Sequence, residues 1–274
     1  EKGEDDDTRL NWAFVTGKVG GLKVNAGRQD FKLHTGSVVD NTFDGVSVAY
    51  GKDIKVTGYA GKAASFTGAP DDRFYALDVA TKVGAFNVYA TYYNIDAEND
   101  AVTKHKLADP ATATPKVDAA VGAYPALDQE IYVIGADTKL AKDLTLKAEW
   151  LHGKADSKLV DGDKDGYTVG LAFKGAKAAT PGTWGLWANY FDQPQATFVK
   201  HTLTGYVDLP AWAEVTSKTD ETLKNISDGF KGFEVGANYT LAKNIVAGVR
   251  YYDFEAREGE ADVKALWSEV IFTF

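Results

Sequence analysis

Apolar residues take every second place along most of this chain. In FNVYATYY (86–93), Phe86, Val88, Ala90 and Tyr92 alternate with Asn87 and other residues of a second face. The same period of two runs through LKVNA (22–26), LTLKAEW (144–150), YTVGLAF (167–173) and IVAGVRY (245–251). That period is a strand signal, because successive side chains of an extended chain point to opposite faces. Turn chemistry separates the runs. DTKLAKDLTLKAEWLHG (137–153) and NYTLAKNIVAGVRYYDF (238–254) each read as strand, tight turn and strand, and GKVGGLKVNAGRQDF, AYGKDIKVTGYAG and TKVGAFNVYATYY are looser copies. Lys, Gly, Asp and Asn at the turn suit short hairpin connections. A single hairpin unit is used repeatedly.

Reading outward from these turns predicts about thirteen strands, at 9–19, 21–31, 43–52, 54–63, 73–83, 85–95, 129–140, 144–154, 166–175, 183–192, 231–241, 245–255 and 262–274. Most are about 10 residues long, the length a tilted strand needs to cross a hydrocarbon core. Tight turns are expected after the odd-numbered strands. The other connections are long and polar, at 99–127, 156–165 and 193–230, with shorter ones near 32–42 and 64–72. Outer-membrane barrels sort their loops in this way, and a soluble sandwich has no reason to.

One face of the predicted strands is free of charge. It takes in Val46, Val48, Tyr50, Tyr75, Leu77, Val79, Tyr132, Ile134, Ala136, Phe233, Val235 and Ala237, with Tyr, Phe and Trp gathered at strand ends as interfacial girdles would be. The other face carries Lys23, Asn25, Asp78, Asn87, Asp137, Lys147, Glu149, Lys174, Glu234, Asn238, Arg250 and Glu269. Such groups buried in an apolar core would carry a prohibitive desolvation cost, which a water-filled lumen avoids. The fold class that results is all-β: a transmembrane antiparallel β-barrel occupying 1–274. A soluble β-sandwich accounts for the alternation equally well, but not for the sorted loops or the aromatic ends.

Composition narrows the partners. The chain has 274 residues, a net charge of −9 and no Cys, so disulfides and thiolate metal sites are excluded and nucleic acid is an unsuitable partner. No run of about 18 apolar residues occurs, which excludes a transmembrane helix. Met is absent, even at position 1, so the chain is expected to begin inside a longer one or after a removed segment. An odd strand number cannot close a single-chain bacterial barrel, and at least one strand is expected before residue 1.

Catalytic chemistry is poorly supported. His34, His105, His152 and His201 are scattered, and no Gly-x-Ser-x-Gly, phosphate loop or His-Glu-x-x-His occurs. An outer-membrane lipase with a Ser–His pair brought together by folding is the enzymatic alternative. DGDKDG (161–166) opens like a calcium loop, but its twelfth position is Ala172 instead of a bidentate Glu, and an acidic outer loop is expected there. The segment 209–225 reads as a short helix within a long loop. No cofactor or metal is implied.

Three places carry a family resemblance. SEVIFTF, with Val270, Phe272 and the terminal Phe274, resembles the signal by which outer-membrane barrels are recognised by the barrel-assembly machinery. LKVNAGRQDF, a loop, and NTFDGVSVAYG resemble the general bacterial porins, in which a strand ending Gly-Arg-Gln precedes the loop that folds into the pore; IVAGVRYYDF is also similar to them. The resemblance implies a homotrimeric channel in the bacterial outer membrane that passes small hydrophilic solutes, with outer-membrane lipid around it. In such porins the constriction loop follows the fifth of sixteen strands, so three further strands would align both counts. A subgroup of porins carries an N-terminal S-layer-homology anchor to the cell wall, which would lie outside this sequence. A tether whose barrel mainly anchors the membrane is a second reading. Arg28 is the leading pore residue on this resemblance. Arg9, Lys23, Lys147 and Arg250 are basic lumen candidates, and Asp40, Asp44, Asp137, Glu149 and Glu234 acidic ones, able to set a transverse field across a water path. The net acidity leans toward cations.

Overall fold

The computed structural model describes residues 12–62, 72–96, 128–155, 164–199, 207, 229–257 and 262–273. Thirteen strands form one sheet: β1 (Ala13–Val19), β2 (Leu22–Lys32), β3 (Asp40–Tyr50), β4 (Ile54–Lys62), β5 (Arg73–Val83), β6 (Phe86–Asp96), β7 (Gln129–Ala141), β8 (Leu144–Ala155), β9 (Lys164–Lys174), β10 (Trp184–Gln193), β11 (Phe230–Ala242), β12 (Ile245–Ala256) and β13 (Asp262–Phe272). Each pairs antiparallel with its neighbours in chain order. Among the described residues, β1 and β13 have a partner on one side only. The sole other element described is a short 3-10 turn, Gln195–Thr197.

The tight turns close as their residues require. Gly20 and Gly21 connect β1 to β2 with φ of 54° and 84°, and Asn244 completes the Lys-Asn turn before β12 with φ of 65°. Positive φ at consecutive turn positions matches the right-handed twist of the flanking strands. The connection from β9 to β10 departs from the expected pattern. It runs from Gly175 to Thr183 and forms a small extension of its own, bridged at Lys177 and Thr180 and held by the Asn244 amide donating to the Ala178 carbonyl at 2.7 Å.

Register fixes two faces. Ala26, Val46, Ala60 and Tyr75 lie in one cross-strand row, and Ala90, Ile134, Trp150 and Tyr167 in another. The alternate residues face inward. The outward set carries large exposed apolar groups, such as Leu77 at 47 %, Ile134 at 60 % and Leu266 at 72 % exposure. So extensive an apolar surface marks contact with lipid instead of water.

Outward charges begin only towards the long-loop end of the strands. They include Lys62, Arg73, Glu130, Asp165, Lys231, Asp253 and Lys264. Six positions separate Leu22 from Arg28, eight separate Ile245 from Asp253, and ten separate Val83 from Arg73. At about 3.4 Å per residue and a tilt of about 40°, that leaves an apolar band on the order of 16–26 Å high.

Arg28 and Asp44 belong to this charged border and not to the lumen. Register pairs Arg28 with Asp44 and with Ala13 on the outward face, in step with Ala26 and Val46. The guanidinium donates to both carboxylate oxygens, Nε to Oδ1 at 2.8 Å and Nη2 to Oδ2 at 2.7 Å. Within Gly-Arg-Gln it is Gln29 that turns inward, 7 % exposed, donating to the Gly45 carbonyl at 3.3 Å. A side-chain period of two leaves no other choice for adjacent residues.

The inner face is also less polar than expected. Its long-loop half holds Phe31, Phe43, Phe74, Tyr93, Ile95, Ile131 and Leu151, all nearly inaccessible. Phe31 packs edge-on against Phe43, Tyr59 and Phe74 with ring centres 4.6–5.5 Å apart. Across the sheet, Phe191, Phe230 and Phe254 form a second aromatic group.

The two faces respond differently to charge. Ile134→Arg at the middle of β7 is expected to lower folding stability in lipid vesicles by about 2–4 kcal/mol. Asn87→Arg, on the inward face beside Asp137, is expected to change it little. Denaturant titration in vesicles measures both.

Candidate functional site: an inward loop and the lumen it bounds

The segment Leu33–Val39 joins β2 to β3 and turns into the barrel. His34 with φ of 52° and Gly36 with φ of 74° reverse the chain, and the Gly36 amide closes the turn on the Leu33 carbonyl at 2.8 Å. Val38 and Val39 are buried in the aromatic group below. The loop is therefore seated partly by apolar burial.

Polar contacts fix the rest. Glu149 of β8 faces inward and is 4 % exposed. Its Oε1 accepts the Tyr89 hydroxyl at 2.8 Å and the Thr35 amide at 3.3 Å. Its Oε2 accepts the hydroxyls of Ser37 at 2.7 Å, Thr168 at 3.2 Å, and Thr35. A buried carboxylate is tolerated only when its lone pairs are filled, and here three of the five donors come from the loop. Beside it, the His34 ring lies flat on Tyr89, with centres 3.4 Å apart, and its Nε2 is 2.7 Å from Asp78 Oδ1. Asp78 also accepts Thr91 Oγ1 at 2.9 Å. Tyr89 can lie against β7 because residue 135 is Gly: a Cβ there would be 2.4 Å from its ring.

A second segment enters the barrel after β10. Pro194–Val199 lies against β7, β8 and β9, and Gln195, Ala196, Thr197 and Phe198 are fully or almost fully buried. Gln129 Nε2 donates to the carbonyls of Gln195 and Phe198, each at 3.2 Å. Gly153 makes room, since a Cβ there would meet the Ala196 carbonyl oxygen at 2.2 Å. The two inward segments are joined. The Val199 amide donates to the Val38 carbonyl at 2.9 Å, and Gln193 Nε2 donates to the Ser37 carbonyl at 3.2 Å.

Beneath them is a cavity of about 330 Å³ whose lining includes His34, Asp40, Lys147, Glu234 and Arg250. Lys32 and Asp40 pair at the root of the loop, at the last register position of β2 and β3, and both reach this cavity. Glu234 accepts Trp187 Nε1 at 2.7 Å and Asn189 Nδ2 at 3.2 Å. Arg250 pairs with Glu269 at 3.0 Å, with its guanidinium 5.8 Å from the centre of the Trp187 ring. Trp187 lies over Gly236, its neighbour across the ladder.

Of the residues singled out from sequence, Lys23, Asp137, Lys147, Glu149, Glu234 and Arg250 face inward. Asp137 accepts Asn87 Nδ2 at 2.8 Å. Glu149 and Glu234 are buried in hydrogen bonds and do not stand free in the lumen. Arg9 and Phe274 lie outside the described residues, as do His105, His201, Asp161, Asp163 and the 209–225 segment. Val270 and Phe272 face outward in the apolar band at 51 % and 58 % exposure. His152 pairs with Asp165 at 2.8 Å on the outward side. Among the described residues no cluster of three or more His, Asp or Glu side chains could hold a metal ion. Sequence reading missed the Pro194–Val199 segment altogether. The one signal was the apolar pair Phe198 and Val199 in a polar connection.

No protein-family model and no curated protein matches the chain. Solved structures do. A loop L8 deletion mutant of OmpT, an outer-membrane protein of Vibrio cholerae, is 13 % identical over 95 % of this chain and 78 % of its own, with a TM-score of 0.54. Outer-membrane expressed OmpT of the same organism is 12 % identical over 93 % and 80 %, with a TM-score of 0.52. OccK5 (OpdH) of Pseudomonas aeruginosa is 13 % identical over 95 % and 70 %, with a TM-score of 0.51. The fold shared with them is the outer-membrane β-barrel.

Glu149→Ala removes the acceptor common to three loop donors and is expected to free the loop at a cost of about 3 kcal/mol. Glu149→Gln retains one carbonyl acceptor and falls between. Trypsin cleavage after Lys32 reads the release, with far-UV circular dichroism confirming an intact sheet.

Proposed function

We propose that the chain forms the wall of a water-filled diffusion channel in the bacterial outer membrane, passing small hydrophilic solutes and ions without catalysis. The observation that carries this reading is the inward loop Leu33–Val39, pinned by Glu149 against the inner wall beside a cavity that Lys147, Glu234 and Arg250 help to line. A barrel that served only as an anchor has no need of a loop held inside it. Catalysis by a Ser–His pair needs a nucleophile on the second nitrogen of an Asp-held imidazole, whereas the contacts of His34 among the described residues are Asp78 at Nε2 and the flat face of the Tyr89 ring.

Closure of the wall is part of the proposal. In hydrocarbon every backbone donor and acceptor must be paired, and among the described residues the outer ladders of β1 and β13 lack a partner strand, so pairing along both is what would seal the wall. The sixteen strands of the porins that the sequence resembles would accommodate that pairing. Homotrimeric assembly, recognition of Val270, Phe272 and Phe274 by assembly machinery, and an anchor to the cell wall outside this sequence rest on that resemblance alone.

Purified protein in a planar bilayer is expected to give discrete conductance steps. Deleting Gly36–Val38, with the sheet intact, is expected to raise the step size, since it withdraws chain from the water path. An intact barrel without steps, or steps unchanged by the deletion, contradicts the reading.

A further inference from the structure

The inner wall towards the tight turns is lined by lysine. Lys18 of β1 and Lys23 of β2 stand directly opposite each other on the inward face. Lys55 follows on β4, Lys82 on β5, and Lys139 and Lys147 on β7 and β8. The first five are exposed and Lys147 is half-buried. None of the six is in an ion pair among the described residues.

The inward carboxylates do not balance them. Asp78, Glu149 and Glu234 are 5 %, 4 % and 7 % exposed, each spent on hydrogen bonds to its neighbours. Glu269 is matched by Arg250. Asp40, at the cavity, is paired with Lys32. Among the described residues that leaves Asp137, with its bond from Asn87, as the inward carboxylate on the lysine wall, across the ladder from Lys147. Two like charges opposite each other on neighbouring strands are mildly destabilising, so Lys18 and Lys23 gain nothing from each other. The net charge of −9 gives a misleading guide to this wall. Part of it lies in the first nine residues, EKGEDDDTR, with five acids against two bases.

We infer that the lumen selects small anions, and that Lys18, Lys23, Lys55, Lys82, Lys139 and Lys147 form the attracting surface. A concave wall of one sign with low-dielectric surroundings focuses its field into the water and raises the local concentration of the opposite ion. The effect weakens as salt shortens the screening length, about 30 Å at 0.01 M but about 3 Å at 1 M. The inference rests on the channel reading for transport, while the anion-attracting surface itself does not.

The test uses the full chain in two measurements. The first is the reversal potential across a planar bilayer in a tenfold KCl gradient, where chloride is expected to permeate about threefold or more better than potassium at low salt, with the ratio falling as salt rises. Lys18→Glu, Lys23→Glu, Lys55→Glu and Lys82→Glu together are expected to reverse that preference; the corresponding Gln set, less disturbing to folding, is expected to abolish it. The second is calorimetric titration of the detergent-solubilised protein with citrate at low salt, with heat that disappears in the Gln set. A conducting wild type that prefers potassium overturns the inference and leaves the channel standing. A non-conducting wild type that binds citrate through these lysines keeps the basic surface and sinks the channel. Loss of both conductance and citrate binding overturns both.

Discussion

The constraint behind this structure is the pairing of backbone groups where water cannot reach them. An unpaired amide or carbonyl in hydrocarbon costs several kcal/mol, so a chain that crosses by strands must hydrogen-bond each strand to the next. The thirteen strands do so in simple chain order, each against its neighbour. Once the ladder is laid down, the side chains have no freedom of facing. Every second residue meets lipid, and the rest look inward. The apolar band, the border of outward charges and the polar groups of the lumen are consequences of that one arrangement.

The interior is where the chain departs from a plain tube. Towards the long loops it is packed with aromatic rings, and two inward segments close over it. Both segments depend on glycine or carboxylate partners in the wall: Gly135 lets Tyr89 lie flat, Gly153 admits Ala196, and Glu149 gathers donors from Thr35 and Ser37. The wall and its contents are fitted to each other. What stays open is the cavity near Lys147 and Arg250 and the lysine-lined half beyond it. The acids that could have made that space negative are used as internal fasteners, which is why the formal charge of the chain and the character of its lumen diverge.

The strands were legible because a period of two over about ten residues is a local signal, and turns such as Leu-Ala-Lys-Asn carry their own backbone preference. The expected outward residues, from Leu22 to Tyr251, take that face in the structure. Family likeness was a poorer guide to single residues. Gly-Arg-Gln pointed to Arg28, but register turns Arg28 outward to Asp44 and brings Gln29 inside. The loop fastening was not legible at all. Thr35 and Glu149 are 114 residues apart, and nothing local in either segment announces that they meet. The same holds for Gln129 and the Pro194–Val199 segment, whose partners are backbone carbonyls and leave no mark in composition.

The central claim is that one face of the sheet meets lipid and the other meets water. Nitroxide labels placed singly at residues 22–26 of β2 and 144–148 of β8, in lipid vesicles, test it most directly through collision with oxygen and with a water-soluble nickel chelate. The account predicts that oxygen access peaks at Leu22, Val24, Ala26, Leu144, Leu146 and Ala148, and that chelate access peaks at Lys23, Asn25, Thr145 and Lys147. Chelate access at the first set, or loss of the two-residue period, would contradict it.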